Sequence, residues 1–197
     1  MDESLSEIPD PMGRQERSIA FVPGSRRADS VNVALAELSA AIATDLGCVA
    51  TVVHLDDFAM PMYDGDCEDE VGVPDAAARL HDVLVASEIV VLVSPEYNGA
   101  PTPLLKNAID WVTRVSKRPL ENKTVGLMSA TPGSGGGTSG LKVLSVIMAS
   151  LRVNHEVPPL GVGKARSRIA DNDPVLRDEI ERFVSSLLVA SAGNVPA

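Results

Sequence analysis

Two cysteines and three histidines are too few and too scattered to carry the chemistry of this 197-residue chain. Cys48 and Cys67 lack CxxC spacing, so neither a disulfide framework nor a zinc site has support in the sequence. His54, His81 and His155 show no ligand spacing, so no metal centre is expected. Two reduced bystander thiols in a cytoplasmic protein are the expectation. Positive charge is also scarce: 17 Lys and Arg face 27 Asp and Glu, for a net charge of -10. That balance argues against nucleic-acid binding, which needs Lys and Arg to neutralise phosphates. It gives no polybasic attraction to a membrane either. No apolar run reaches the ~18 residues that a spanning helix needs. The start, MDESLSEIPDPMGRQER, has no basic opening and no apolar stretch, so it does not read as a secretory signal. Residues 1–15 read as a flexible leader and 16–192 as one domain. The stretch GSRRADSVN is neither a Walker A loop nor a GxGxxG fingerprint. No Ser–His–Asp set or carboxylate pair emerges.

What is present is a hydrophobic fraction of 45% and a mean hydropathy of +0.11, enough for a globular core. The organising stretch runs from Ser18 to Leu46. An apolar run, Ile19 to Val22, turns through Pro23, Gly24 and Ser25. A helix follows with Val31, Leu35, Leu38, Ile42 and Leu46 near a 3.6-residue period, and Gly47 stands at its C-terminal cap. Further strands are expected at Val49–Leu55, Glu88–Val93, Thr124–Ala130 and Val153–Val157. Helices are expected from Pro74 to Ala86, over LLKNAIDWVTRV, from Leu141 to Leu151 and from Asp173 onward. The acidic run Asp64 to Glu70 reads as a solvated loop, DDFAMPMY before it as a partly apolar loop, and Pro158 to Arg168 as irregular. Five βα units imply an α/β fold: one five-stranded parallel sheet with helices on both faces, in three layers.

In such a sheet, ligands bind beyond the carboxyl ends of the strands. Three unusual loops fall there. GSRRADSVN follows the first strand and offers hydroxyls, guanidinium groups and a helix N-terminus, donors suited to a phosphomonoester. Taken alone, it reads equally well as a helix cap beside solvated arginines. SPEYNGAPTP follows the third strand and can line a flat heteroaromatic ring with backbone amides, Pro95 and Tyr97; it also reads as a helix-entry loop with Asn98 as a turn former. TPGSGGG follows the fourth strand and lets backbone approach closely; it also reads as a plain flexible loop. Their joint placement on one sheet edge is more specific than any of them alone.

GSRRADSVN resembles the GSxRxxSxN phosphate loop of the NADPH-dependent FMN reductases, a flavodoxin-like flavoprotein family. SPEYNGAPTPLLKNAIDW resembles their SPEYN…LKNAIDW segment with the spacing intact. SATPGSGGG resembles their glycine-rich flavin loop, and LDDFAMPMYDGD their stretch after the second strand. The resemblance covers roughly residues 18–158. The chain departs from the family pattern at Pro101, Pro103 and Pro132.

The resemblance implies FMN bound non-covalently, with its phosphate on Ser25, Arg27, Ser30 and Asn32. The ring would lie along Pro95, Glu96, Tyr97 and Asn98 and against Thr131, Gly133, Gly136 and Gly137. A hydride would pass from NADPH or NADH to flavin N5, and the electrons then to a flavin, quinone or similar small acceptor. The flavin carries the chemistry, so no catalytic side chain is required. A homodimer or homotetramer is the family expectation. The alternative is a flavodoxin-type FMN electron carrier without nicotinamide activity, which the acidic surface suits but the SPEYN and LKNAIDW segments argue against. A flavin binder with only a regulatory role is the third reading.

Overall fold

The computed structural model describes residues 17–193 apart from 154 and 156. The leader expected at 1–15 lies outside the described residues. Strand β1 (Ser18–Pro23) leads into helix α1 (Val31–Asp45), whose N-cap is Ser30. Strand β2 (Val49–Val52), a short 3-10 helix (Leu55–Phe58), α2 (Gly65–Val71) and α3 (Asp75–Ala86) follow. Then come β3 (Ile89–Val93), a hairpin of β4 (Glu96–Tyr97) and β5 (Ala100–Pro101), and α4 (Pro103–Val115). The chain continues through β6 (Thr124–Ala130), α5 (Thr138–Ser150), β7 (Leu160–Val162), α6 (Ala165–Ala170) and α7 (Pro174–Ala192).

The five long-range strands form a parallel sheet in the order β2-β1-β3-β6-β7. All of β3 and β6 is buried, as expected of central strands covered on both faces. The alternation of side chains sorts the core into two layers. Ile89, Val91 and Val93 pack with Leu35 and Ile42 of α1 and with Phe183 and Leu187 of α7. Val90 and Leu92 pack with Leu80 of α3, Leu105 of α4 and Leu144 of α5. The strand order reverses between β1 and β3, so the loops leaving these two strands diverge and open a crevice.

Two expectations need correction. The fifth strand is Leu160–Val162, not Val153–Val157. Val153 is buried in the layer with α5, and Val157 in the layer with α7. Their spacing therefore reflects a connection crossing from one face of the sheet to the other. Pro158 and Pro159, which lack N–H donors, precede the true edge strand, where proline is tolerated. The stretch expected to be irregular thus holds a strand and most of a helix. The acidic run is likewise a helix, α2, and not a loop. Asp64 caps it by accepting a hydrogen bond from Asp66 N at 2.9 Å, and Gly72 ends it with φ of 78°.

The LKNAIDW segment has a structural task. Asn107 Nδ2 and Trp111 Nε1 both donate to the Pro61 carbonyl at 2.8 Å, and Tyr63 N donates to Asn107 Oδ1 at 2.7 Å. Tyr63 stands edge-on to the Trp111 ring, centroids 5.1 Å apart. DDFAMPMY is therefore clamped along α4, one helical turn apart at Asn107 and Trp111.

Candidate functional site

A cleft of about 160 Å³ opens at the carboxyl end of the sheet, where the loops after β1, β3 and β6 meet. Ser25, Arg27, Ser30 and Asn32 line it from the first loop, Pro95, Glu96 and Tyr97 from the second, and Thr131 from the third. A shallower depression of about 350 Å³ continues on the other side of Tyr97, toward Thr102 and Leu104. The cleft therefore gathers eight of the twelve residues singled out in the sequence. Asn98, Gly133, Gly136 and Gly137 are not among its lining residues.

The first loop is held tightly at its base. Gly24 N donates to Val93 O at 2.9 Å, and Gly24 O accepts from Thr102 Oγ1 at 2.7 Å. A Cβ at Gly24 would come within 2.9 Å of Leu105 Cβ, so only glycine lets the loop pass this close to α4. Thr102 is also the N-cap of α4, with Pro103 at the first helical position. Pro101 pairs with Glu96 in the hairpin. The two prolines around Thr102 are thus accommodated as strand end and helix start. Ser30 Oγ caps α1, accepting from Asn32 N and Val33 N at 3.3 and 3.4 Å.

Asn32 is buried, and its side chain is fully engaged. Its Nδ2 donates to Ala130 O and its Oδ1 accepts from Ala130 N, both at 2.8 Å. The reason lies in the sheet. Ser94 N still donates to Met128 O, but at Pro95 the chain leaves β3 for the hairpin. Two residues further along β6, the groups of Ala130 facing that side would have no strand beside them. The Asn32 amide replaces it and fastens the first loop to the root of the third.

The second loop is a two-residue hairpin with Asn98 and Gly99 at φ of 51° and 78°, the sequence and conformation of a type I′ turn. Asn98 thus sits at the turn, and Tyr97 beside it is half exposed at the cleft wall. Glu96 Oε2 accepts from Gly140 N at 2.9 Å in the first turn of α5. The N-cap of that helix, Gly137, has no side chain to supply, so Glu96 caps it from the hairpin.

The third loop is ordered around Thr131, whose Oγ1 donates to Gly133 O and accepts from Gly136 N, both at 3.0 Å. Gly137 has φ of 69°, and a Cβ there would collide with Ser129 Oγ. Gly136 abuts the backbone of Gly161 in β7. These glycines fold the loop against β6 and β7.

Sequence reading missed Asp29 and Arg166, which also line the cleft, as does Pro132, noted above only as a departure from the family pattern. Asp29 lies between two guanidinium groups: Arg27 Nη2 donates to its Oδ1 at 3.0 Å and Arg166 Nη2 to its Oδ2 at 3.4 Å. The hydrogen bond and charge of Arg27 hold the Asp29 carboxyl below its ordinary value of 3.8. The signal for Arg166 was its place after the fifth strand, on the same sheet edge as the other loops; the misplaced strand hid it. Arg26 points elsewhere, pairing with Asp56 at 2.7 Å. Among the described residues, no group of three His, Cys, Asp or Glu could hold a metal ion.

The strand order, the crevice at its reversal and a cation-bearing loop entering a helix N-terminus define a flavodoxin-like α/β protein. Residues 17–162 match the family described as NADPH-dependent FMN reductase, and the chain belongs to that family. It is 30% identical over 180 residues to a quinone reductase of Pseudomonas putida, covering 87% of this chain and 95% of that one. It is 38% identical over 78 residues to the quinone reductase of Escherichia coli K12, a match that spans 40% of this chain and 42% of that protein's length. In fold it is similar to FerB, a flavoenzyme NAD(P)H:(acceptor) oxidoreductase from Paracoccus denitrificans. The TM-score is 0.68 at 22% identity, covering 87% of this chain and 97% of the other.

Proposed function

We propose that this chain is an NAD(P)H-dependent FMN reductase that passes electrons to a small acceptor of the flavin or quinone type. The observation that carries the reading is the convergence of three separate loops on one cleft, cationic at the α1 end and lined by backbone and Tyr97 at the other. The donor chemistry fits FMN. Ser25, Arg27 and Ser30 would hold the phosphate, with the positive end of the α1 dipole adding to the field. Pro95, Glu96, Tyr97 and Asn98 would border the ring on one side and Thr131 with Gly133, Gly136 and Gly137 on the other. Asn32 would act through the strand that it holds. Bound flavin supplies two-electron transfer between the nicotinamide and the acceptor. The protein contributes position. The Asn32, Thr102 and Glu96 hydrogen bonds fix the loops relative to one another, and Tyr97 keeps one face of the opening apolar.

The quinone reductase names of the relatives support a quinone as one acceptor. The free thiols of Cys48 and Cys67 support a reducing, cytoplasmic setting. Exposed apolar side chains, among them Met62, Val71 and Val146, support a homodimer or homotetramer. The test is a visible spectrum of the protein after incubation with FMN and desalting, followed by anaerobic addition of NADPH. A retained flavin band that bleaches is expected. A retained band that neither NADPH nor NADH bleaches would favour the electron carrier instead.

A further inference from the structure

The connection leaving β7 brings a second guanidinium to the cleft. Three backbone hydrogen bonds fasten this connection to the third loop: Thr131 N to Val162 O at 2.9 Å, Ala165 N to Thr131 O at 3.0 Å and Lys164 N to Gly133 O at 2.7 Å. Arg166, the next residue, lines the same cleft as Arg27 but enters it from a different loop. The two arginines are 139 positions apart in sequence, yet both reach one carboxylate, Asp29. Arg166 Nη2 also donates to the Asp29 carbonyl at 3.3 Å.

All three side chains are well exposed, so neither ion pair is locked by burial. Asp29 nonetheless occupies the position between two cations in a cleft that also holds the Ser25 and Ser30 hydroxyls. Its carboxylate offers two oxygens and one negative charge. A phosphomonoester offers three terminal oxygens and nearly two charges. It matches two guanidinium groups from separate loops better than a carboxylate does, because each fork can take its own oxygens.

Resting on the FMN reading above, we propose that Arg166 is a second phosphate-binding guanidinium, and that Asp29 is an internal anion which the phosphate displaces. Asp29 keeps the two arginines converged before the phosphate enters. When the phosphate enters, the carboxylate swings out to solvent. The device selects a terminal phosphomonoester: riboflavin offers no anion, and the diester phosphates of FAD each carry a single charge.

The test measures FMN and riboflavin dissociation constants by quenching of flavin fluorescence, for the full chain and four variants. Arg166→Ala is expected to weaken FMN binding by at least about tenfold and to leave riboflavin within twofold. Arg166→Lys is expected to recover part of the loss, since it restores the charge without the fork. Asp29→Asn is expected to tighten FMN binding severalfold, with riboflavin again unchanged. Arg27→Ala separates the two levels of the argument. If Arg27→Ala loses FMN affinity and Arg166→Ala does not, the role of Arg166 is overturned and the FMN site stands. If neither variant changes FMN affinity, the phosphate site itself is wrong. Equal losses of FMN and riboflavin in Arg166→Ala would make Arg166 a structural strut. Weaker FMN binding in Asp29→Asn would overturn the displacement.

Discussion

At the α1 end of the cleft the wall is made of side chains. Arg27, Asp29 and Arg166 stand in solvent, their side chains 60–69% exposed, and their ion pairs are free to exchange partners. At the β4 end the wall is made of backbone held by buried and half-buried hydrogen bonds. Thr102 is tied to Gly24, Asn32 to Ala130, and Glu96 to Gly140. On the proposed reading, the first end would meet the phosphate and could adjust to it. The second would meet the flat ring, and its shape is set by the hydrogen bonds within the protein. The contrast teaches that the first loop serves both ends. Ser25, Arg27 and Ser30 face the charged end, while Asn32, two residues past Ser30, fixes the rigid one.

Breaking the rigid end should cost most. Asn32→Leu leaves the Ala130 N–H and carbonyl without partners in a buried position, and a loss of about 3 kcal/mol is expected. Urea unfolding of the apo protein measures it; a midpoint unchanged from wild type would show that the amide is dispensable. Breaking the charged end should leave the fold intact and act on the ligand. Arg27→Ala is expected to weaken FMN roughly 10- to 100-fold and to spare riboflavin, by the loss of a charge-assisted contact. Fluorescence titration of both flavins checks this.

Smaller effects sharpen the contrast. Glu96→Ala removes the cap of α5 supplied by the hairpin and should lower stability by about 1 kcal/mol. Glu96→Gln, which keeps an acceptor, should recover most of it in the same unfolding assay. The smallest effect concerns acid. Asp29 is held below its ordinary 3.8 by the hydrogen bond to Arg27, so the pair stabilises the fold above that pH. The contribution should fade as pH falls through the lowered value. Melting curves from pH 5 to pH 2 should show a slightly steeper acid loss for wild type than for Asp29→Asn; parallel curves would mean that the pair adds nothing.

The legible parts of the fold were those in which burial leaves a period in the sequence. Glu88–Val93 reads as a central strand because both of its faces are covered, and β3 is buried throughout. The helical spacing of α1, α4 and α7 is legible for the same reason. The illegible parts owe their structure to something other than periodic burial. Helix α2 has no buried residue; the Asp64 cap and the hydrogen bond from Tyr63 Oη to Glu68 accompany it. Strand β7 is three residues with glycine in the middle, after two prolines, and it gives no strand signal. Val153 and Val157 mimic a strand because each is buried, on opposite sides of the sheet.

The site follows the same division. Its three loops were legible from their motifs, and eight of the twelve named residues line the cleft. The roles of Asn32 and Glu96 were not legible, because both depend on partners far away in sequence, Ala130 and Gly140. Arg166 was hidden for that reason and also by the misplaced fifth strand.

The most direct test of the account is the affinity of the unmodified protein for FMN against riboflavin. The two ligands share the ring and differ only in the phosphate, so their ratio isolates the charged end from the rigid one. FMN binding at least about 100-fold tighter than riboflavin, with the gap shrinking as salt screens the guanidinium groups, is the expected result. Equal affinities would mean that the cationic end of the cleft does not hold the phosphate, and would contradict the account.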